Sequence, residues 1–455
     1  MLFPTFTFGV FFLFVMLGHT AVRRSMLLWK PFMLAASFFF YGWFDYRLTL
    51  LLGGSVVFNW GLGIAIGSNP NRPREVAAIG VTVNLLLLGF FKYFLFFTAS
   101  FASMVGRTGP AVAIILPIGI SFFTFQAISY LVDIHRRQLQ PHNLVDVALY
   151  LAFFPQLVAG PIVRATEFFP QLKVHAVAGS VASGEAAWLI GQGLFKKVVV
   201  ANYLATSVVD PVFEAPNLAS RTELLMAIYG YAIQIYADFS GYTDIAIGIA
   251  LLLGFSFPQN FNSPYRALTI TDFWRRWHMT LSRWLRDYLY IPLGGNRQGT
   301  LLTYRNLALT MVLGGLWHGS QWTFVAWGAI HGGWLALERL TGGFRVPAVI
   351  QWLITFHVVG AAWVLFRAPT FGHAVDVFSG LLTAEGGLSG INAVAVSLIV
   401  GAIVLQFQPL GTAKALFNRF VRLDPLVQGT AFAAWILVVT AVSPPGVQPF
   451  IYFQF

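Results

Sequence analysis

The sequence predicts an all-α polytopic membrane protein, and three observations lead to this prediction. Hydrophobic residues fill 57% of the 455 positions and charged residues only 10%, whereas a soluble domain carries about 25% charged residues. Apolar stretches long enough to cross about 30 Å of hydrocarbon recur along the whole chain. Proline and glycine interrupt several of these stretches, as at Pro117, Gly119 and Pro155. We therefore expect roughly 11 true spans together with re-entrant or interfacial helices.

The predicted membrane segments follow one another from one end of the chain to the other. They fall near residues 3–22, 30–45, 48–67, 76–98, 111–133, 144–162, 186–206, 224–254, 305–325, 327–341, 348–366, 391–410 and 428–444. The first of them has no basic region before it and no small-residue cleavage site, so we expect a retained span rather than a signal peptide. No soluble domain is evident, and residues 1–455 are predicted to form a single integral-membrane domain.

The basic residues predict the orientation in the membrane. Clusters follow the first, third and fifth segments: Arg23, Arg24, Lys30, Arg72, Arg74, Arg136 and Arg137. We expect the protein in the cell membrane, that is, the inner or cytoplasmic membrane. Because Lys and Arg accumulate in cytoplasmic loops, the N-terminus is predicted to lie on the outer side of this membrane. The same bias accounts for the net charge of +11 without a nucleic-acid partner. The chain has no cysteine, which excludes disulfides and thiolate chemistry, and we expect no metal site.

A helix is predicted over residues 272–290. Aromatic and leucine residues recur there at three- to four-residue spacing, and arginines fall on the other side. Thr271 is a plausible N-cap, and Pro292 with the following glycines ends the pattern. Such an amphipathic helix lies in the interface plane or caps a cavity.

Two histidines are the main candidates for chemistry. His318 lies between glycines and tryptophans at predicted membrane depth, where ionisable side chains are usually functional. His278 lies in the predicted amphipathic helix, and His331 is a third candidate. The alternative for His318 is a helix-packing histidine that bonds a neighbouring backbone carbonyl. For His278 it is an ordinary interfacial side chain, and for His331 a structural role on a glycine-rich packing surface. A buried imidazole is kept neutral, which is the form that a general base requires.

The charged residues around these histidines allow more than one interpretation. Seven arginines lie between residues 266 and 305; they either face anionic lipid or bind a phosphate-bearing donor. Asp238 and Asp244 lie in the apolar stretch 224–254. They could orient a histidine, pair with an arginine from 266–286, or form a structural ion pair.

Eight short motifs resemble the membrane-bound O-acyltransferases, and specifically their bacterial alginate O-acetyltransferase-like branch. They are LPIGISFFTFQ at 116–126, FPQ at 154–156, AGP at 159–161, DFSGY at 238–242, NFNSPY at 260–265, FWRRWH at 273–278, GLWHG at 315–319 and FIYFQF at 450–455. They are densest over residues 116–332. The resemblance implies a helical bundle around a central tunnel, with His318 as the essential histidine and His278 as a second active-site histidine.

The resemblance also implies the reaction. We expect acetyl transfer from a cytoplasmic thioester, acetyl-CoA or another acyl donor, to an exported, alginate-like envelope polysaccharide, with no bound cofactor. A periplasmic or extracellular protein or polymer would accept the acyl group. The residues expected to contact donor or substrate are Arg275, Arg276, Trp277, Trp317, Asp238, Ser240, Tyr242 and Asn262. Two alternatives stay open: D-alanyl transfer to teichoic acid, and a transporter or flippase for a lipid-linked substrate, although no inverted repeat is visible.

Overall fold

The protein is helical, as predicted. A computed structural model describes residues 1–68, 71–110, 112–158, 160–174, 180–387, 391–408, 410–446 and 448–453. Within these ranges every regular element is a helix, with no β-strand. Ala159 of the AGP motif and the last two residues of the C-terminal motif lie outside the described residues.

Membrane-length helices account for several of the predicted spans. Five helices in the described part of the chain are long and apolar enough to cross a bilayer: Arg47–Ser68, Pro73–Met104, Arg221–Leu252, Ala348–Arg367 and Pro425–Val442. The second is a continuous run of two α-helices joined by the π-helical turn Gly89–Tyr93. Shorter apolar helices are Phe6–Val22, Met26–Gly42 and Ala393–Gln406. The number of spans, roughly 11 by the hydrocarbon-thickness argument, stays a prediction.

The chain forms two compact units. Unit 1 comprises Met1–Ala186 and Ala246–Pro258. Its helices are α1 Phe6–Val22, α2 Met26–Gly42, α3 Arg47–Ser68, α4 Pro73–Leu88, α5 Phe94–Met104, α6 Ile120–His135, α7 Leu144–Ala152, α8 Phe154–Leu157 and α9 Ala165–Val174. Phenylalanine rings fill much of its interior, with Phe154 lying 5.4 Å from Phe11 and 5.5 Å from Phe40, centroid to centroid.

Unit 2 comprises Ala187–Ile245 and Gln259–Phe455. Its helices, the first and fourth of which extend into unit 1, are α10 Ser180–Leu194, α11 Asn202–Leu204, α12 Asp210–Glu214, α13 Arg221–Leu252, α14 Ile270–Arg276, α15 Met279–Leu285, α16 Thr300–His318, α17 Trp322–Thr341, α18 Ala348–Arg367, α19 Phe371–Thr383, α20 Ala393–Gln406, α21 Leu410–Phe420 and α22 Pro425–Val442. Both candidate histidines belong to this unit.

Glycines bring α16 and α17 into close backbone contact. A methyl group added to Gly315 would overlap the Phe324 carbonyl, and one added to Gly328 would overlap the Met311 carbonyl. Small residues permit this approach in membrane helices. The contact fixes the end of α16, where His318 is the last helical residue.

The predicted helix over residues 272–290 is wrong as a continuous element. Helix α14 ends at Arg276, α15 begins at Met279, and a π-helical turn follows over Arg286–Tyr290. His278 lies at the break with φ 42°, in the left-handed region. The N-cap is also not Thr271: the side chain of Thr269 accepts from the amide of Asp272. The helix breaks here because the backbone carbonyl of Asn260 accepts a hydrogen bond from the backbone amide of Met279 at 2.9 Å. This bond competes with the hydrogen bond that the amide would make within a continuous helix.

Candidate active site

The two candidate histidines lie together inside unit 2. Their ring centroids are 6.3 Å apart, and the side chains are 0% (His278) and 2% (His318) exposed. The helix break turns His278 inward, and the packed end of α16 holds His318. The structure therefore brings together two residues that are 40 positions apart in sequence.

Aromatic rings enclose the histidine pair. Phe239 lies edge-on to His278 at 4.6 Å. The rings within 5.5 Å of His318 are Trp317 (5.0 Å), Tyr452 (5.2 Å), Trp327 (5.3 Å) and Phe366 (5.4 Å). Such walls exclude water and strengthen the electrostatic interactions inside.

His278 is held on one side of its ring. Its Nδ1 lies 3.1 Å from Oδ1 of Asn260, while Nε2 has no hydrogen-bond partner among the described residues. The residue lies outside the five membrane-length helices, and burial lowers its pKa to about 3. The unpaired nitrogen of a neutral imidazole can donate a hydrogen bond to a substrate or accept one from it, depending on the tautomer.

A buried ion pair holds the C-terminal segment (residues 448–453) beside the histidines. Asp238 pairs with Lys197, and both side chains are almost completely buried. The second carboxylate oxygen of Asp238 accepts the amide of Ile451 at 2.8 Å, and Lys197 also donates to the carbonyl of Pro449 at 3.1 Å. The ring of Tyr452 is thereby placed against His318.

Pairing with an arginine, one of the possibilities left open for the two aspartates, is wrong, because both carboxylates pair with lysines. Asp244 pairs with Lys196 at 2.7 Å and accepts from Gln192 at 3.1 Å. Both lysines belong to the π-helical turn Phe195–Ala201 that follows α10. The structural ion pair, one of the three possibilities for these carboxylates, is the one present.

Three of the seven arginines line a separate cavity of about 570 Å³. Arg275, Arg283 and Arg286 contribute to its wall, together with Met279, the residue after His278. Arg286 also pairs with Asp287 at 2.6 Å. The cavity combines cationic groups with apolar side chains, which suits a ligand that carries phosphate and an apolar arm.

Four of the other predicted contact residues belong to unit 2, which also contains the histidines. Trp317 is adjacent to both rings, at 5.9 Å from His278. Trp277 is fully buried and stacks on Phe273. Ser240 is buried, and its hydroxyl has no partner among the described residues. Tyr242 packs against Phe450 of the C-terminal segment at 4.7 Å.

Two further predicted contact residues bond around the first turn and the end of α14. Asn262 is exposed, and its amide donates to the Arg276 carbonyl at 2.9 Å. Arg276 forms an ion pair with Asp272 at 2.9 Å. These contacts connect the loop before α14 to the last turn of that helix.

His331 joins α17 to α14. The indole of Trp274 donates to its Nδ1 at 3.3 Å, and Phe273 stacks on the ring at 6.1 Å. Glu338 binds the same two helices together, because its carboxylate accepts the amides of Ile270 and Thr271. These contacts give His331 a structural role, the alternative weighed from its glycine-rich surroundings.

Sequence reasoning missed three residues of the site: Asn260, Lys197 and Tyr452. Asn260 and Tyr452 stood within recognised motifs but carried no charge pattern that singled them out. Lys197 had a usable signal, since a lysine inside the apolar stretch 186–206 requires a partner. In the described part of the chain, no three His, Asp or Glu side chains are grouped to hold a metal ion.

Comparison with known proteins decides the family. Residues 121–366 match the sequence model of the membrane-bound O-acyltransferase (MBOAT) family. A probable alginate O-acetylase of Pseudomonas aeruginosa is 43% identical over 90% of this chain and 80% of its own. The chain belongs to the membrane-bound O-acyltransferase family. The acyltransferase is accordingly a multi-pass membrane enzyme, which confirms the predicted family, fold class and reaction type.

Further relatives include enzymes that are named for polymers other than alginate. A probable alginate O-acetylase of Azotobacter vinelandii is 38% identical over 100% of both chains. A peptidoglycan O-acetyltransferase of Helicobacter pylori is 40% identical over 82% of this chain and 76% of its own. A teichoic acid D-alanyltransferase of Bacillus subtilis is a more distant match, 27% identical over 56% of this chain and 70% of its own.

Proposed function

We propose that this acyltransferase moves acetyl groups from a cytoplasmic thioester to hydroxyl groups of an exported, alginate-like envelope polysaccharide. The observation that carries the proposal is the buried pair His278–His318, enclosed by aromatic rings. The relatives that are about 40% identical over most of the chain are named for O-acetylation of alginate or peptidoglycan, which supports acetyl as the group transferred.

His318 acts as the general base in this proposal. It takes the proton of the acceptor hydroxyl as the oxygen attacks the thioester carbonyl carbon. The carbon–sulfur bond then breaks, and the departing thiolate recovers the proton from the His318 imidazolium. A thioester is already activated, so no covalent enzyme intermediate is required. A positioned general base contributes roughly 10²–10⁴-fold, and His278 would hold a reactant or stabilise the charge on the oxygen.

The arginine cavity provides the donor side of the reaction. Acetyl-CoA or another phosphate-bearing thioester would place its anionic groups near Arg275, Arg283 and Arg286. Because basic residues mark cytoplasmic loops, this cavity would face the cytoplasm and the N-terminus would lie outside the cell membrane. The acyl group would then leave toward a periplasmic or extracellular partner protein or polymer.

D-alanyl transfer is the second candidate, favoured by the similarity to a teichoic acid D-alanyltransferase. The two candidates differ in the group carried by the thioester. Proteoliposomes that contain the enzyme can be supplied with radiolabelled acetyl or D-alanyl thioester and an oligosaccharide acceptor. Acetyl incorporation supports the proposal, whereas D-alanyl incorporation without acetyl incorporation overturns the choice of acyl group.

The same assay tests the base. His318→Ala is expected to lower acetyl incorporation by at least about 100-fold, the lower range for a general base. His373→Ala serves as the matched control, because His373 lies on α19 and contacts Thr370, the N-cap of that helix. Activity of His318→Ala within a few-fold of the control would contradict the role of His318.

A further inference from the structure

We infer that Asn260 is a positioning residue that holds His278 in the tautomer whose Nε2 accepts a hydrogen bond in the active site. The inference deepens the proposed function and rests on it, because it concerns the role of the second histidine. It selects between two roles: a hydrogen-bond acceptor for a reactant hydroxyl other than the one that His318 deprotonates, or a donor to the developing oxyanion.

The hydrogen bonds at Asn260 identify its side-chain atoms. One atom receives the backbone amide of Thr280 at 3.2 Å and the hydroxyl of Thr280 at 2.9 Å. A backbone amide can only donate, so this atom is the amide oxygen and not the nitrogen. The same oxygen lies 3.1 Å from Nδ1 of His278. An oxygen without a proton can only accept, and Nδ1 must therefore carry the hydrogen.

The tautomer follows from this assignment. A neutral imidazole has one protonated nitrogen, so Nε2 of His278 carries the lone pair. Nε2 is buried and has no partner among the described residues, and burial favours the neutral ring. In this form His278 can accept from a substrate hydroxyl, but it cannot donate from Nε2 to an oxyanion.

The choice of asparagine matters because it is neutral. The titratable ring of His318 lies 6.3 Å from that of His278. Tyr452, which contacts His318, has a pKa that burial raises well above its usual value. The carboxylate of Asp238, the residue before Phe239, is compensated by Lys197. A carboxylate at position 260 would add a negative charge directly against the imidazole. Asparagine accepts the same hydrogen bond without stabilising the imidazolium.

The tautomer can be read directly from the wild-type protein. Solid-state spectra of ¹⁵N-histidine-labelled enzyme in proteoliposomes distinguish a protonated ring nitrogen from an unprotonated one. The His278 signals are assigned by their loss in His278→Gln. We expect a protonated Nδ1 and an unprotonated Nε2 at neutral pH. A protonated Nε2 would overturn the inference, whatever the variants do.

Substitutions at position 260 test the consequence for activity. Asn260→Leu removes the acceptor and should lower kcat by roughly 10–100-fold, the range seen when a group that orients a metal-bound histidine is lost, with little change in donor KM. Asn260→Asp keeps the acceptor but stabilises the imidazolium, so its acidic pH–rate limb should move up by about one to three units. Thr280→Val, which removes only one of the other donors to the same oxygen, should keep the wild-type pH profile.

The two proposals fail in different ways. If His278→Ala and His318→Ala both retain activity, the proposed function of the pair is wrong. If His278→Ala is inactive while the pH profile of Asn260→Asp superimposes on that of the wild type, only the positioning role of Asn260 is contradicted.

Discussion

Removal of the Asp238 carboxylate tests how the C-terminal segment is held. Asp238→Leu removes the counter-ion of Lys197, whose side chain is only 1% exposed. The amide of Ile451 also loses its acceptor. Breaking a buried ion pair on one side typically costs about 3–5 kcal/mol, because a buried charge is left uncompensated.

A matched double variant separates the two consequences. Lys197→Met with Asp238→Leu removes both charges and should recover most of that 3–5 kcal/mol, since replacement of a buried pair by apolar side chains is often neutral. It does not restore the acceptor for Ile451. The Tyr452 ring would then no longer be fixed against His318. Misplacement of an active-site group by about 1 Å can reduce the rate by roughly 100-fold.

The assay combines stability with activity. Thermal midpoints in detergent are measured by loss of the monodisperse protein, and acetyl incorporation is measured in proteoliposomes. The single variant Asp238→Leu should have a lower thermal midpoint than the wild type. The double variant should regain most of the stability but not the activity. A double variant with full activity would contradict the role of Asp238 in placing the C-terminal segment, and an unchanged midpoint in the single variant would contradict the cost of the unpaired lysine.

Two further predictions concern the donor cavity and the topology. Arg→Gln exchanges at Arg275, Arg283 and Arg286 should raise donor KM and flatten its salt dependence, because exposed charges act over a Debye length of about 8 Å; a constant KM in folded protein would leave only contact with lipid. Single cysteines at Thr108 and Gln298, both exposed, should react with a membrane-impermeant reagent from opposite sides of intact cells, and labelling of both from outside would refute the predicted orientation.

Much of the site could be predicted because its residue types are unusual in a membrane. His318 stood out since an ionisable group among glycines and tryptophans requires a reason. The family motifs then connected it to His278. The glycine-rich packing surface considered for His331 is present, because Gly328 of α17 lies against the Met311 carbonyl of α16.

The residues that escaped prediction act through backbone geometry or over long sequence separations. Apolar periodicity favoured one helix over 272–290, but periodicity contains no information about a carbonyl at position 260 that competes for the Met279 amide. Likewise, the pattern around Asp238 could not show which cation lay opposite it. Lys197 precedes it by 41 residues and Ile451 follows it by 213, and only the tertiary fold brings them together.

The central claim is that this enzyme O-acetylates an envelope polysaccharide through His318. Mass spectrometry of the envelope polysaccharides of cells that contain equal amounts of wild-type, His318→Ala or His373→Ala protein tests it most directly. The account predicts O-acetyl esters on a polysaccharide from the wild-type and His373→Ala cells and their loss from the His318→Ala cells. Equal ester content in all three would contradict it.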